Sequence, residues 1–506
     1  MTFATADTPM NATSSERRRY VAESILPRLD PRPMIDGAFV DARSDEVRQV
    51  RDPFSGGVLL EMPDCGRDDV DHAVAAARAA FDDGRWSGLD SSTRATHLRR
   101  LADLIEAHHD ELALLESSDV GKPVAGTSAW DISNAAMMYR YYADLGERLA
   151  TDEEIPGSAR AYRHREPVGV VAALVPWNFP FPCISWKLGP ALAMGCCVVL
   201  KSAERAPLSA QLLGELVIDA GFPPGVVNIV MGSGATAGAA LVSDERIDAI
   251  TFTGGSETAS ALVRSSAVRL PRLTLELGGK GANVVWSDAD FDAAVAGTVT
   301  GMFDVAGQNC CAASRTFVHD DIADAFIAAV VEATAQRRLG DPLDDATRQG
   351  PQIDPAHVRR IDGYVQEARG QGARVLTGGG TPDELGGNFY APTVIEGATP
   401  EMRVSREEVF GPVGCVFRVG DLDTAIARAN DTPYGLSSSV WASEEDVLER
   451  FVRESRVGAC WVNTFGLFDP EVPWGGTKMS GYGRELGEEA VLQFTVPKSV
   501  YWERPN

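Results

Sequence analysis

GVVAALVPW at 169–177 is a short run of small and β-branched apolar residues closed by Pro176-Trp177, and four similar runs follow it. They are CCVVLK at 196–201, VVNIVMGSG at 226–234, IDAITFTGG at 247–255 and LTLELGGK at 273–280. Each is an apolar strand that stops in glycine or polar residues, and helical stretches such as Leu208 to Ala220 separate several of them. Strands that are apolar almost throughout and alternate with helices specify a parallel sheet covered on both faces. The fold class is therefore α/β. Ligands of such sheets bind beyond the carboxyl ends of the strands, so the functional residues are expected along one rim.

Upstream, helical patterning runs from Asp68 to Gly146. The run from Val70 to Phe81 stops at Asp82-Asp83-Gly84, Thr93 to Val120 carries leucines at helical spacing, and Asp131 is a candidate N-cap for a helix over about Ile132 to Leu145. Residues 1–33 read as a polar, poorly ordered tail, and the sequon Asn11-Ala12-Thr13 within it reads as chance. Thr151 to Arg165, with Pro156-Gly157 at its centre, predicts a hairpin. Downstream, a second α/β stretch runs from Phe291 to about Met479, with a strong helix from Asp324. Val491 to Trp502 is extended, aromatic and β-branched, an edge that invites pairing with another chain.

Composition narrows the function. The 506 residues carry 47 Lys and Arg against 72 Asp and Glu, a formal charge of −25, which disfavours a nucleic-acid partner. No basic segment followed by an apolar run opens the chain, and no apolar stretch reaches membrane-spanning length, about 18 residues. The eight cysteines include no C-x-x-C, and the seven histidines form no H-x-x-x-H. Reduced thiols, a cytoplasmic location and no metal are the expectation.

FDVAGQNCCAASR at 303–315 holds two adjacent thiols among small residues, with Arg315 close by in sequence; positive charge lowers a thiol's pKa and makes it nucleophilic. Glu276 lies between Leu275 and Leu277, where burial raises a carboxyl pKa and suits a general base; a salt-bridged structural carboxylate is the plainer reading. Asn178 ends a strand and can donate to an oxyanion, or simply cap a turn. Lys201 and Glu204 follow a strand and can reach ribose hydroxyls, or form a solvated pair. Gly232, Gly234 and Gly238 open a helix after a strand, where phosphate binds readily.

Together these pieces resemble the aldehyde dehydrogenase superfamily from about Met34 to Lys498. The matching motifs are PWNFP at 176–180, KSAE at 201–204, GSGATAG at 232–238, FTG at 252–254, LELGGK at 275–280, GQNC at 307–310, EEVFGPV at 407–413 and GRELGE at 483–488. The resemblance implies a Rossmann-like NAD-binding domain (34–146 and 168–279), an α/β catalytic domain (280–480) and a small β oligomerisation domain (147–167 and 490–506) that makes a homodimer or homotetramer. It implies that Cys310 is the nucleophile and Cys311 a bystander, that Asn178 and the Cys310 N–H form an oxyanion hole, that Glu276 activates the hydrolytic water, and that Glu485 is a second proton-relay carboxylate. Lys201 and Glu204 would hold one ribose of NAD and Glu408 the other, with Phe410 near the nicotinamide. Trp177, Gly234 and Gly254 would line the pyrophosphate, and Gly238, Phe252, Thr253, Gly255 and Leu277 would complete the cofactor contacts. Gly255 stands where the family usually has serine, and Glu204 disfavours the 2′-phosphate of NADP, although NADP stays open.

The implied reaction turns a small-molecule aldehyde into its acid through a thiohemiacetal and a thioester, with hydrolysis favoured over transfer to coenzyme A because Glu276 is present. Phe179, Cys183, Trp186, Phe465, Leu467, Phe468 and Trp474 occupy the usual tunnel positions. They suit a bulky apolar or aromatic aldehyde; alternatively Trp186 and Trp474, helped by Glu471, face the cation of an amino- or betaine-aldehyde. A Cys-dependent esterase or thioesterase would use Cys310, Asn178 and Glu276 equally well, but has no need of Lys201, Glu204 and Glu408. A non-catalytic relative would have no need of the catalytic three.

Overall fold

The five apolar runs become parallel strands in the computed structural model, which describes residues 10–149, 152–154 and 161–502. They are β1 (Val170–Leu174), β2 (Cys197–Lys201), β3 (Val227–Val230), β4 (Ala249–Gly254) and β5 (Arg272–Leu277). Their order across the sheet is β5-β4-β1-β2-β3, so strand order reverses between β1 and β4 and a crevice opens above their carboxyl ends. The residues there are Val175-Pro176-Trp177 and Thr253-Gly254-Gly255. Gly481–Tyr482 pairs antiparallel with β5, Gly481 opposite Glu276. A Cβ on Gly481 would lie 1.8 Å from the Leu275 carbonyl oxygen, so only glycine lets this late segment approach.

The second sheet contains β6 (Ala282–Val285), β7 (Arg315–His319), β8 (Thr393–Glu396), β9 (Val413–Val419), β10 (Ser437–Trp441) and β11 (Ala459–Val462). They run parallel in the order β8-β9-β7-β6-β10-β11, with Arg374–Thr377 antiparallel beside β8. Neighbouring residues face opposite sides: Val284, Phe317, Ile395, Phe417 and Val440 enter one core, and Val285, Val318, Val394, Val416 and Trp441 the other. Only Gly278 to Gly281 separates β5 from β6, so the two sheets meet at the Gly-Gly-Lys-Gly link. The thiol loop, between the helix Phe291–Phe303 and β7, arrives at that junction. A third sheet pairs Asp152–Glu154 and Thr495–Tyr501 with opposite edges of Ala161–Pro167; the predicted turn at Pro156-Gly157 lies outside the described residues.

Three expectations are corrected. Residues 14–28 are not a loose tail: Ser14–Tyr20 is a helix that continues as helical turns to Arg28. Thr13 and Glu16 close its capping box reciprocally. Arg17 is 1% exposed and donates to the Leu343 carbonyl at 2.7 Å and to the Asp345 carboxylate. Replacing Arg17 with alanine strands that carbonyl and should lower the unfolding free energy by about 2 kcal/mol in denaturant titration. The segment from Thr93 to Val120 is two helices, Ser91–Ala107 and His109–Val120, broken at His108. Asp131 caps nothing; it is buried in a π-helical turn and paired with Lys122, its carboxyl pushed up to about 7 by burial. Among the described residues no helix is long and apolar enough to cross a membrane, and no group of three His, Cys, Asp or Glu residues could hold a metal ion.

Candidate active site

Two cavities meet at a pair of thiols, Cys310 and Cys183. A long cleft of about 430 Å³ lies over the carboxyl ends of the first sheet, and an aromatic cavity of about 210 Å³ opens between that sheet and the second. Cys310, Glu276, Thr253, Leu277, Phe179 and Cys183 line both, whereas Cys311 lines only the aromatic cavity. Cys311 is also held aside, its thiol 3.0 Å and its N–H 3.2 Å from Asn309 Oδ1.

The loop before Cys310 is unusually bent: Val305, Ala306 and Gly307 all take positive φ, at 52°, 56° and 71°. Gln308 pins it, accepting from the Ile353 N–H at 2.9 Å. Asn178 donates one amide hydrogen to the Gln308 carbonyl at 2.9 Å. An amide has two such hydrogens, so the second remains for a ligand beside the thiol. Arg315, expected to acidify the thiol, does not: its guanidinium is consumed by the carbonyls of Lys280, Arg428 and Ala429. The adjacent Cys311 thiol and burial instead hold Cys310 well above the usual thiol range, while its own backbone N–H pulls the other way.

Glu276 is 3% exposed, and neither carboxylate oxygen has a hydrogen-bond partner. The salt-bridge reading therefore fails. Burial pushes its pKa well above the ordinary carboxyl range, the charge of Glu485 adds to this, and Lys187 opposes it. A Cβ on Gly475 would come within 2.5 Å of Glu276 Oε1, so a glycine there leaves the carboxylate its space. Glu485 is ion-paired with Lys187, whose ammonium also lies 2.7 Å from Thr253 Oγ1. Lys187 was not anticipated. Its signal was the spacing from Cys183 and Trp186, which puts all three on one face of the helix Pro180–Ala193.

The cleft collects Trp177, Lys201, Glu204, Gly234, Phe252, Thr253, Gly254, Gly255, Leu277, Glu408 and Phe410. Gly238 is buried one turn behind Gly234 and is not part of the lining. A Cβ on Gly234 or Gly255 would meet nothing within 4 Å; Gly255 presents bare backbone to open space, as a phosphate cradle requires, whereas the Gly234 N–H is already taken. Lys201 is 6% exposed and its pKa is pushed down to about 8 by burial, so a solvated pair with Glu204 is excluded. Glu204 accepts from the Gly234 N–H at 3.2 Å. Glu408 accepts from the Gly279 N–H at 3.0 Å and is pushed up to about 7 by burial. Two carboxylates and a lysine along a glycine-walled cleft can hold the two riboses and the pyrophosphate of a dinucleotide. His357 and Arg360 also line the cleft and were missed; both fix the Glu408–Phe410 turn through its carbonyls.

The aromatic cavity has Phe179, Cys183, Trp186, Phe465, Phe468 and Trp474 on its walls. Leu467 is corrected: it is 70% exposed and turned away, its carbonyl accepting from Trp461 Nε1 at 2.9 Å. Glu471 is exposed and also off the lining. Trp130, Thr300 and Asp304 line the cavity without having been expected there. Trp130 packs at 5.5 Å from Phe179 and 5.7 Å from Phe468.

The sequence profile of the aldehyde dehydrogenase family matches residues 39–500. An aldehyde dehydrogenase of Enchytraeus buchholzi is 43% identical over 478 residues, which cover 93% of this chain and 95% of that protein. A mitochondrial benzaldehyde dehydrogenase of Antirrhinum majus is 40% identical over 471 residues, covering 92% and 87%. Betaine aldehyde dehydrogenase from Staphylococcus aureus, solved in complex with NAD+, superimposes with a TM-score of 0.94 at 34% identity, covering 97% of this chain and 98% of that one.

Proposed function

The chain belongs to the aldehyde dehydrogenase family, and from that premise we propose how its own residues carry the reaction. The protein is an oxidoreductase that oxidises an aldehyde to the carboxylic acid with NAD as acceptor. The observation that carries the assignment of roles is the position of Cys310 and Glu276 where the two cavities meet.

The Cys310 thiol raises the pKa of Glu276 at this junction, because two negative charges side by side are costly. A proton leaving the thiol is therefore best held on Glu276, which generates the thiolate when substrate is present. The sulfur adds to the aldehyde carbon. The second N–H of Asn178 and the backbone N–H of Cys310 then receive the oxyanion. Bound in the cleft, NAD+ would supply the acceptor for the aldehyde's hydride; Lys201 and Glu204 would hold one ribose and Glu408 the other, with Trp177 and Phe410 lining the same cleft. The acyl group stays on Cys310 as a thioester. Glu276, freed of its proton, activates water to hydrolyse it. Glu485, paired with Lys187, is the next carboxylate able to carry that proton away from Glu276.

The aromatic walls fit an aldehyde with a bulky apolar or ring-bearing portion. The domain division follows the sheets: residues 34–146 and 168–279 bind cofactor, 280–480 carry the thiol, and 147–167 with 490–506 assemble a homodimer or homotetramer through the Thr495–Tyr501 edge. The eight cysteines, all free, suit a cytoplasmic enzyme. NADH formation across aliphatic, aromatic, semialdehyde and ammonium aldehydes, with NAD and NADP in parallel, tests the reading; turnover without nucleotide would make it an esterase instead. Cys311→Ala should keep more than about half of the activity, since Asn309 holds that thiol aside; an inactive but folded, NAD-binding variant would transfer the nucleophile's role to Cys311.

A further inference from the structure

The amino-terminal ends of three parallel strands meet at a group of cations that the reaction above leaves unused. Lys280 stands two residues before β6, Arg315 opens β7 and Ser437 opens β10. Ala282 is in register with both Arg315 and Ser438, so the three starts lie side by side. They share a small cavity of about 10 Å³ with Thr432, Tyr434 and Lys478, room for one guest about the size of a water molecule. Among the described residues its lining holds no Asp or Glu.

Lys280 is 3% exposed and its ammonium has no hydrogen-bond partner; Ser437 is 4% exposed and its hydroxyl has none either. An unpartnered buried donor is costly, and an unpaired buried charge costs more. Burial pushes Lys280 down to about 8, which still leaves the ammonium as the main form at neutral pH. Arg315 and Lys478 cap the end of the helix Leu422–Asn430, Arg315 through the carbonyls of Arg428 and Ala429, Lys478 through those of Asn430 and Thr432 at 3.1 and 3.3 Å. Carbonyls satisfy donors without cancelling charge, and a helix end offsets only about half a unit. Arg406, Arg428 and Arg456 add to the positive field, and the acids that oppose it, Glu407, Glu408 and Asp431, lie off the lining. A water molecule would accept from Lys280 and Ser437 yet leave the charge unbalanced. A small anion does both.

We infer that this cavity binds one monatomic anion of chloride size, with Lys280 and Ser437 as its donors and Arg315 and Lys478 supplying further charge. The site lies outside the reaction and stands independently of the aldehyde-oxidising reading. Its position gives the anion a structural task. Leu436 walls both this cavity and the aromatic one. A Cβ on Gly279, the neighbour of Lys280, would lie 2.5 Å from the Cys310 carbonyl oxygen and 3.3 Å from Leu436 Cβ. Fixing Lys280 therefore fixes the link between the two sheets against the thiol loop.

Two measurements on the full chain test this. Crystals soaked in bromide should show an anomalous peak beside Lys280 Nζ and Ser437 Oγ, and the peak should be missing from Lys280→Met. In solution, chloride at about 100 mM should raise the Tm by about 2 °C over gluconate, an anion too large for the cavity. Equal ionic strength in the two salts removes general screening from the comparison, and the increment should vanish in Lys280→Met. Should that variant fail to fold, Ser437→Ala removes one donor and little volume, and should raise the chloride concentration that gives half the increment about tenfold. Density without an anomalous peak, equal Tm in both salts, or a peak in soaked crystals with no Tm increment in solution would each overturn the proposal.

Discussion

Cys310→Ala is expected to lower steady-state NADH formation by about 10⁴-fold or more, while NAD affinity measured by fluorescence quenching stays within about twofold of the wild type. The asymmetry follows from where the thiol sits. Lys201, Glu204 and Glu408 line the long cleft, and none of their contacts passes through the Cys310 side chain. Losing the sulfur would remove the atom proposed to bond to substrate and leave that lining intact. A variant that retained activity would mean that the bond is made elsewhere, and Cys311 and Cys183, both on the aromatic cavity, would be the next thiols to test.

Glu276→Gln is the second large effect. Glutamine keeps the shape of a side chain whose oxygens make no hydrogen bond, so the fold should tolerate it, yet it cannot accept a proton. Steady-state turnover should fall by about 10² to 10⁴-fold. With thiol activation compensated by raised pH, one equivalent of NADH should appear in a burst before the stall. The pH dependence carries a definite sign. The base works as the carboxylate, and burial raises its pKa well above the ordinary carboxyl range. Wild-type deacylation should therefore climb with pH through that raised value and fail on acidification before an exposed glutamate would protonate. In the variant this limb should be missing. An unchanged profile would take the base role away from Glu276.

Much of this site was legible in the chain because its chemistry sits at strand ends. Asn178, Lys201, Thr253 and Glu276 each close or follow an apolar run, and a parallel sheet brings such ends to one rim whatever the details of packing. The groups that were missed come from helices and loops whose approach is decided by tertiary packing. Trp130 and Asp304 reach the cavity only once the second sheet has docked against the first, and nothing in their local sequence signals that meeting. Leu467 shows the converse. Its neighbours Phe465 and Phe468 face inward, but the turn between them directs Leu467 to solvent. Arg315 was misjudged because sequence distance stood in for direction: β7 carries it away from the thiol and buries it among carbonyls. The N-terminal helix carries its own local signal, since Thr13-x-x-Glu16 is a capping box written in the sequence.

In the proposed reaction an acyl group passes through Cys310 and is released by Glu276. Its most direct test is intact-protein and peptide mass spectrometry of Glu276→Gln, quenched in acid after mixing with NAD and a turned-over aldehyde. One added acyl mass per chain is expected, on the peptide holding Cys310 and Cys311, with fragmentation assigning it to Cys310. Unmodified protein after a full NADH burst, or an acyl group on Cys311, would contradict it.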